Sequence, residues 1–386
     1  MRRPFDRFLW YAAAIAAAGF LRSPLNAGET RPATPGGAPP PDPRRDMVAA
    51  LAAPGPHPSL GAEARTFDRV VGTWDADYSL HAEDGSVRHS KGEVRFSWVL
   101  DGYALEDMFI SYPKRPGDER QIVTAVRFFD AKAQVWRVAF AAPTLGVSTT
   151  LEGGAEGDRI VLRGKDSEGS SLRWSFNNIR PDSFIWRGEV SRDGGKTWRL
   201  EEEHQLKRRA GAPAPGLRRD VIAELPAPGP HPSLGAEART FDRFVGAWDC
   251  DYSFHAQDGS VSHSRGELRF GWVLDGHEMQ DVWIGYPKRP GDERSIGTTL
   301  RFFDSKTGVW RVIFVAPAYG VITTLEGGAE GDRIVLRGKD GDGASLRWSF
   351  CDIRDDSFTW RGEISRDGGK TWRLEEEHHM TRHAGA

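Results

Sequence analysis

The segment His57-Pro-Ser-Leu-Gly-Ala-Glu-Ala-Arg-Thr-Phe-Asp-Arg69 decides the fold, because it occurs twice and returns unchanged at residues 231–243. A second segment, Ser191-Arg-Asp-Gly-Gly-Lys-Thr-Trp198, returns unchanged at residues 365–372. Both pairs are 174 residues apart, so nothing is inserted or deleted between the two landmarks. A repeat of this length is a whole domain rather than one blade of a propeller. The chain is therefore predicted to contain two copies of one domain, at residues 46–209 and 220–386.

Composition limits what the protein can do. The chain has 386 residues, and two domains of this size can bury their cores without disulfide bonds. The formal net charge is −3, with basic and acidic residues interspersed along the chain. A nucleic-acid binder or a general membrane-surface binder is therefore not expected. Fourteen Trp and forty-four Gly indicate an aromatic-rich, turn-rich β protein.

The two cysteines, Cys250 and Cys351, both lie in the second copy and lack a metal-binding spacing. Alternation along the predicted strands places Cys250 on the face of Trp248, and places Cys351 on the face opposite to Phe350. Side chains on opposite faces are badly placed for a disulfide bond. Both cysteines are therefore expected to be free thiols.

The first 27 residues have the pattern of an export signal. Residues 1–7 are basic, residues 8–21 form an apolar run of fourteen, and Ala27 is a small residue suited to cleavage. Fourteen residues are few for a membrane span. A periplasmic or secreted protein is therefore expected, with an uncleaved N-terminal anchor as the alternative. A Pro/Gly-rich disordered spacer is predicted at 28–45, and a linker between the copies at 210–219.

Each copy begins with a helix-like pattern and continues as strands. Ala64, Phe67 and Val71 recur at helical spacing after Ser59, which favours an N-cap position, and Gly72 ends the pattern. Apolar residues then alternate, which predicts ten short strands with no crossover helix. Such a meander avoids exposed edges most simply by closing into an up-and-down barrel. The predicted fold is all-β, with two tandem antiparallel barrels of about ten strands, each preceded by a short capping helix.

Tryptophans dominate the predicted inner faces of these barrels. Trp74, Ala76 and Tyr78 share one face of the first strand, and Trp98 and Trp136 lie on the inner faces of later strands. A barrel of about ten strands is wide enough to hold a small ligand as well as its own side chains. The expected partner is therefore a small, largely apolar molecule. The sequence predicts no particular oligomeric state.

These features together resemble the calycin superfamily, which includes lipocalins, fatty-acid-binding proteins and nitrobindin-like haem barrels. The resemblance rests on Gly72-Thr-Trp74 at the first strand and on the ten-strand meander that follows it. Nitrobindin-like barrels carry further glycines after this motif, where the present chain has Asp75-Ala-Asp-Tyr-Ser79. The resemblance therefore disfavours haem, and no cofactor is expected.

Within this superfamily the chain is most similar to the bacterial DUF1579-type barrels. The similarity extends over residues 57–206 and 231–380, and it rests on Gly102, Arg127-Phe-Phe-Asp130, Trp136 and Asp193-Gly-Gly-Lys-Thr-Trp198. The resemblance implies a barrel of this type in tandem duplicate.

The segment 191–198 also fits the Asp-box motif of sialidases and other propellers. If the motif has the function it has in those enzymes, the protein is a carbohydrate-active hydrolase. Propellers repeat the motif every 40–50 residues or so, whereas here it returns only after 174 residues. We therefore interpret it as a hairpin in which Asp193 accepts hydrogen bonds from turn amides, glycine adopts positive φ, and Trp198 packs beneath the turn.

Inward polar groups near the last strand of each barrel are candidate binding groups. Glu202 and His204 share the face of Trp198, and Glu376 and His378 repeat the arrangement. Such a His can ligate haem or orient a polar ligand group, and such a Glu can serve as acid or base. The alternative is a solvated strand end, which the acidic run 201–203 favours. No catalytic or metal-binding residue is assigned. The predicted ligand-binding set contains Trp74, Tyr78, Trp98, Trp136, Glu202, His204, Trp248, Tyr252, Trp272, Trp310, Glu376 and His378.

Differences between the copies bear on whether both are functional. Glu106 and Asp107 lie on opposite faces of the third strand, so one of them must face inward. Bulky positions also differ, which leads to the hypothesis that the barrels hold different ligands or that one copy has lost its site. These positions are Tyr103 and His277, Phe109 and Trp283, and Leu145 and Tyr319.

The sequence favours a non-enzymatic function, an exported pair of barrels that bind a small, largely apolar ligand. One alternative is an enzyme, either a lipocalin-like isomerase or hydratase or a carbohydrate-active hydrolase, which would need two polar groups converging on one cleft. Another alternative is a non-catalytic interaction protein that holds a partner through loops such as 114–120.

Overall fold

The computed structural model describes residues 43–113, 120–210 and 225–383. The predicted export signal, most of the spacer and nearly all of the predicted linker lie outside the described residues. The described part forms two closed, ten-stranded antiparallel barrels, as the alternation of apolar residues predicts. None of the helices in these ranges combines the length and the hydropathy that a membrane span requires.

Both barrels follow the same up-and-down order, in which each strand pairs with its neighbours in sequence and the last strand returns to the first. The first barrel contains β1 (Gly72–His81), β2 (Val87–Val99), β3 (Ala104–Ser111), β4 (Ile122–Asp130), β5 (Val135–Ala142), β6 (Val147–Glu156), β7 (Arg159–Lys165), β8 (Ser171–Asn177), β9 (Ser183–Ser191) and β10 (Arg199–Arg208). The second contains β11 (Gly246–His255), β12 (Val261–Val273), β13 (Glu278–Gly285), β14 (Ser295–Asp304), β15 (Val309–Ala316), β16 (Val321–Glu330), β17 (Arg333–Lys339), β18 (Ser345–Cys351), β19 (Ser357–Ser365) and β20 (Arg373–Arg382).

The segment that caps the first barrel is a 3-10 helix, Glu63–Val70, and not the expected helix starting at Ser59. Its buried residues Ala64, Phe67 and Val70 are three residues apart, which is the repeat of a 3-10 helix. Ser59 is not a cap, because its hydroxyl instead hydrogen-bonds His57 Nδ1 at 2.8 Å. In the second copy the same segment forms two shorter 3-10 turns, Ala236–Arg239 and Asp242–Phe244.

The two barrels pack against each other through their outer faces, and the contact is reciprocal. Arg120 Nε donates to Asp275 at 2.6 Å, and Arg294 Nε donates to Asp101 at 2.6 Å. These residues occupy the same positions in the two copies, so an approximate two-fold axis relates the barrels. A continuous apolar core fills the contact, and its members include Met108, Ile110, Val126, Phe128, Val282, Ile284, Leu300 and Phe302.

Two glycines allow a close approach at this contact. A Cβ atom at Gly146 would lie 2.7 Å from Asp304 Oδ1, and one at Gly320 would lie 2.9 Å from Asp130 Oδ2. Both glycines also have positive φ, +71° and +65°. The turns after β5 and β15 therefore dock reciprocally onto the opposite barrel, and a side chain at either glycine would hold the barrels apart.

Polar groups lie buried inside this apolar contact. Gln280 Nε2 donates to Glu106 Oε1 at 3.3 Å, and Thr124 Oγ1 donates to the same oxygen at 3.2 Å. Glu278 is fully buried, and neither of its carboxyl oxygens has a hydrogen-bond partner. Burial raises the pKa of Glu106 to about 7, and burial together with the nearby Glu106 raises the pKa of Glu278 well above its usual range. Glu106 therefore belongs to the contact between the barrels, whereas Asp107 faces the interior of the first barrel.

Helix α1 (Pro43–Leu51) precedes the first barrel in the chain but packs against β11 and β12 of the second. Met47 and Leu51 of this helix are buried in the core shared by the two barrels. Gly271 leaves room for Met47, because a Cβ there would lie 3.2 Å from the Met47 methyl group. The helix therefore joins the two domains in addition to the direct contact between them.

Both cysteines are free, as predicted, and both are buried. Cys250 lies in the aromatic core of the second barrel beside Trp248 and Tyr252. Cys351 lies at the end of β18, where its thiol donates to the carbonyl of Thr359 at 3.5 Å. Burial raises the pKa of both thiols, which keeps them protonated and unreactive.

Candidate functional site

A cavity of about 130 Å³ lies inside the second barrel. It is lined by Ala316, Tyr319 and Val321 around the β15–β16 turn, and by Glu363 and Glu375 near the β19–β20 hairpin. The capping segment meets the barrel at the opposite end, where Trp248 Nε1 donates to the carbonyl of Phe244 at 2.7 Å. The cavity therefore occupies the half of the barrel that the capping segment does not fill.

Six aromatic rings contribute to the cavity wall. The rings of Trp348 and Trp360 meet edge to face with centroids 5.3 Å apart, and Phe314 meets Trp348 at 5.6 Å. Trp283 and Tyr319 close the wall on another side, with centroids 6.4 Å apart. Such rigid, largely apolar walls are typical of small-molecule pockets.

Glycine makes room for one of these rings. A Cβ at Gly362 would lie 2.8 Å from Trp360 Cη2, so the indole ring folds back over its own strand only because residue 362 has no side chain. Gly188 and Trp186 have the same relation in the first barrel, also at 2.8 Å. This tryptophan and the glycine that makes room for it are therefore common to both barrels.

A buried ion pair forms the floor of the cavity. Arg301 Nη1 lies 2.5 Å from Asp281 Oδ2, and both side chains are at most 5% exposed. The guanidinium also lies over the rings of Phe241 and Phe270, at 5.5 and 5.1 Å from their centroids. The ion pair thus separates the cavity from the aromatic core at the capped end. Asp107 and Arg127 make the same buried pair in the first barrel.

A β-bulge brings two carboxylates to the rim. In the β19–β20 ladder Gly362 pairs with Glu376 and Glu363 pairs with Leu374, so Glu375 is an extra residue. As a result Glu375 and Glu376 both line the cavity. Glu375 is mostly buried, and burial raises its pKa although Arg373 lies beside it. His378 lines the same wall, with its Nε2 atom 3.2 Å from Glu376 Oε2.

The predicted tryptophans lie elsewhere, in the capped half of each barrel. Their indole N–H groups are used within the protein: Trp74 donates to Val70 O at 2.7 Å, and Trp136 donates to Glu63 O at 3.1 Å. Trp248, Trp272 and Trp310 do not line the cavity of the second barrel. These side chains fill space and hold the capping segment, because that segment needs donors for its free carbonyl groups. The tryptophans that contact this segment are Trp74, Trp136, Trp248, Trp272 and Trp310. Trp98 is buried in the same core of the first barrel.

The other predicted residues cluster around the histidines. Glu376 and His378 line the cavity, whereas Tyr252 packs behind His378 with ring centroids 4.6 Å apart. In the first barrel His204 Nε2 lies 2.6 Å from Glu202 Oε1 and contacts the ring of Tyr78 at 5.1 Å. The structure therefore brings Tyr, Glu and His together in both copies. Only the Glu and the His reach the cavity wall in the second copy.

The two copies differ at five of the positions that line this cavity. In the first barrel the ring of Phe109 contacts His204, with ring centroids 4.8 Å apart. Trp283 occupies the matching position in the second barrel and lines the cavity. The second barrel gains two hydroxyl groups, and Tyr319 Oη lies 2.6 Å from Ser295 Oγ. The five differences are Val94 and Leu268, Phe109 and Trp283, Ala125 and Thr299, Leu145 and Tyr319, and Leu206 and Met380.

The predicted binding set lacks the Asp–Arg floor and the tryptophans of the wall, although alternation places the matching Trp174 and Trp186 on inner faces. An acid on β13 and an arginine on β14 occupy the same positions in both copies, and both follow the period-two alternation of inward residues. That repetition was an available signal, since Asp281 and Arg301 stand in line with Met279 and Phe303 on the inner faces. The bulge that turns Glu375 inward had no signal in the sequence.

The Asp-box segments are hairpin turns, as the sequence interpretation states. Asp193 Oδ1 accepts from the amides of Lys196 at 3.0 Å and Thr197 at 2.9 Å, and Trp198 Nε1 donates to Gly195 O at 3.1 Å. Hydrogen bonds, first of all from the Thr197 hydroxyl, hold the pKa of Asp193 well below its usual range. Asp367 makes the same contacts in the second barrel. The hydrogen-bonding capacity of these carboxylates is therefore used by the turn.

Comparison with known proteins gives one short family match and several similar solved structures. Residues 363–374 match the BNR/Asp-box repeat family, which covers the second hairpin alone. The sequence has no match among curated proteins.

Three solved structures are similar in fold. The S-type phycobiliprotein lyase CPES from Guillardia theta is 16% identical over 37% of this chain and 90% of its own, with a TM-score of 0.30. The protein Rv2717c from M. tuberculosis is 15% identical over 39% of this chain and 99% of its own, with a TM-score of 0.31. A DUF3598-family protein of unknown function from Nostoc punctiforme is 12% identical over 84% of this chain and 100% of its own, with a TM-score of 0.21.

These neighbours are lipocalin- or calycin-like β-barrel proteins. At such identities and scores the likeness concerns the barrel fold and carries no argument about ligand or activity. The strand order itself defines the class, which is an all-β protein of two joined, closed antiparallel barrels.

Proposed function

We propose that this protein is an exported two-barrel protein of the DUF1579 type that binds a small, largely apolar molecule in the open half of its second barrel. The observation that carries the proposal is the cavity of about 130 Å³ walled by Trp283, Phe314, Trp348 and Trp360. An apolar cavity of roughly this volume holds one aromatic ring. The ligand is therefore a one-ring molecule, or a larger one whose remainder projects from the open end. No cofactor enters the proposal.

The first test is a native mass spectrum of residues 28–386, purified from an exporting host without added ligand. We expect a reproducible added mass that is lost on denaturation. The variant Ala316→Leu places three further carbon atoms in the cavity, so we expect it to lose this mass. Ala142→Leu is the matched control, because Ala142 occupies the same position in the first barrel.

The results for the two variants together show which barrel holds the binding site. Circular dichroism first establishes that both variants are folded. Loss of the added mass in Ala316→Leu with retention in Ala142→Leu supports binding in the second barrel. Retention in both variants contradicts the proposed location, and a bare mass together with no binding of one-ring probes contradicts the proposed function.

A second candidate is a lipocalin-like isomerase or hydratase. One observation favours it: Asp281, Glu375 and Glu376 all line one cavity, which supplies the converging polar groups that such an enzyme needs. The two candidates differ in the fate of the ligand. A binding protein returns its ligand unchanged after prolonged incubation, whereas an enzyme returns a product, and Glu376→Gln would slow its formation while leaving the ligand bound.

A further inference from the structure

Most charges that line the cavity are already neutralised by arginine. Arg301 pairs with Asp281 at the floor at 2.5 Å. Arg347 forms a two-point contact with Glu363, with both N···O distances at 2.7 Å. Arg373 pairs with Glu375 at the rim. These three carboxylates therefore present little net charge to a ligand.

Glu376 is the exception. Within residues 43–113, 120–210 and 225–383, its one basic partner is His378, at 3.2 Å. An arginine always carries its charge, whereas a histidine does not. Glu376 therefore leaves a negative charge on the cavity wall that no arginine neutralises. It is partly buried, so water screens this charge less than it would at an open surface.

Aromatic faces lie next to this carboxylate. The ring of Trp360 lies 4.5 Å from His378, the next inward residue along the strand from Glu376. Trp348 continues the same wall. The π faces of indole rings attract cations and repel anions, most strongly for Trp. A positive charge placed here would interact favourably with both the ring and the carboxylate.

The floor gives a second reason to expect a polar ligand. Arg301 Nε has no hydrogen-bond partner, although the same guanidinium pairs with Asp281 through Nη1 at 2.5 Å. Both side chains are about nineteen-twentieths buried or more and line the cavity. Buried polar atoms of this kind are normally satisfied, by protein, by water or by a ligand.

We propose that the second barrel selects small organic cations, meaning amines whose apolar part is about one ring in size and whose ammonium group lies between Glu376 and the Trp360 ring. This inference rests on the proposed function and names the chemical class of its ligand. An anionic ligand of the same size is disfavoured by Glu376, and a neutral one gains only the apolar contact.

The test compares three probes of one shape on the full chain at pH 7. Benzylamine is a cation, benzyl alcohol is neutral and benzoate is an anion, and isothermal titration calorimetry gives the dissociation constant of each. We expect benzylamine to bind about tenfold more tightly than benzyl alcohol, which corresponds to the upper part of the range for a cation beside an aromatic ring. We expect benzoate to bind most weakly.

Two variants make the assignment specific. Glu376→Gln keeps the shape of the side chain and removes its charge, so the preference for benzylamine should fall to within about twofold. Glu377→Gln is the control, because Glu377 lies next in sequence but pairs with Arg361 at 2.6 Å and does not line the cavity. It should keep the tenfold preference.

The outcomes separate the two proposals. If benzyl alcohol or benzoate binds as tightly as benzylamine, the cation inference is wrong and the binding function stands. An unchanged preference in Glu376→Gln also overturns the inference. If none of the three probes binds and no copurified mass is found, the proposed function itself fails and the inference fails with it.

Discussion

The first and second barrels share a buried Asp–Arg pair, a Glu-x-His pair on the last strand and an Asp-box hairpin, yet their walls differ. Phe109 contacts His204 directly in the first barrel, whereas Trp283 packs toward Tyr319 in the second. The shared residues hold strands, turns and buried charges in place. Some of the residues that differ line the cavity, and others, such as Glu106 and Gln280, lie at the contact between the barrels. The two copies therefore share the buried charges, the turns and most of the wall, and they differ at five of the positions that line the cavity.

The largest expected effect comes from breaking the buried Asp–Arg pair, which both barrels contain. Arg301→Met removes one partner of a fully buried ion pair and leaves Asp281 uncompensated, so we expect a loss of about 3–5 kcal/mol in the free energy of unfolding. Arg127→Met should cost the first barrel a similar amount, because Asp107 is left in the same way. Urea-induced unfolding followed by tryptophan fluorescence measures both.

A control separates the lost charge from lost packing. The double variant Asp281→Leu with Arg301→Met replaces the pair by apolar groups and should recover most of the stability. If the double variant is as unstable as the single one, the arginine acts mainly through its contacts with Phe241 and Phe270.

The next effect concerns the contact between barrels, where the copies differ by Glu106 and Gln280. Burial raises the pKa of Glu106 from 4.5 to about 7, so the folded protein holds this proton more tightly than the unfolded chain. Its contribution to stability is fully present below about pH 4.5 and is lost as the pH rises through about 7. Glu106→Gln should remove this dependence and gain up to about 3 kcal/mol at pH 8 relative to pH 4.5.

The measurement is the free energy of unfolding at several pH values between 4 and 8 or so, which spans the titration of Glu106. Glu278 is present in both proteins, so its own titration contributes to both profiles. Gln280→Glu is the opposite change and should steepen the decline with pH, because two acids would then share the approximate two-fold axis. Parallel profiles for the wild type and Glu106→Gln would show that Glu106 is not protonated in the folded protein.

The smallest effect concerns the wall of the cavity. Trp283→Phe with Tyr319→Leu gives the second barrel two of the residues that the first barrel carries. The change removes ring surface from the wall, and we expect benzyl alcohol to bind about five- to tenfold more weakly. Calorimetry with this neutral probe avoids any dependence on the preference for cations.

The reciprocal change sharpens the comparison. Phe109→Trp with Leu145→Tyr gives the first barrel the corresponding residues of the second. A second binding event in this variant would show that two side chains account for the difference between the barrels. Binding in the second barrel that is unaffected by Trp283→Phe with Tyr319→Leu would contradict the role assigned to these rings.

The repeat, the strands and the Asp-box turns could be predicted from the sequence. The 174-residue repeat predicts two equal domains, and period-two alternation predicts the ten strands that each barrel contains. The Asp-box turn could be predicted because its hydrogen bonds are all local. Local patterns of this kind survive in a single sequence because each residue acts on near neighbours.

The location of the cavity could not be read in the same way. Trp74 and Trp348 both lie on inner faces, and only the closed barrel shows that Trp74 is covered by the capping segment whereas Trp348 faces the cavity. The bulge at Glu375 turns a second acid of the run, besides Glu376, toward the interior, against the alternation. Both facts depend on strands that are distant in sequence.

By itself, the sequence determined two copies of an all-β domain, their alternating faces, their Asp-box turns and their free thiols. Only the tertiary structure decided that Glu106 meets Gln280 between the barrels, that Asp281 pairs with Arg301 beneath a cavity, and that helix α1 packs on the second barrel. The physical reason is the range of the interactions. Alternation and turns are set by neighbouring residues, whereas charge pairing, cavities and domain contacts arise where strands meet across the barrel or between the barrels.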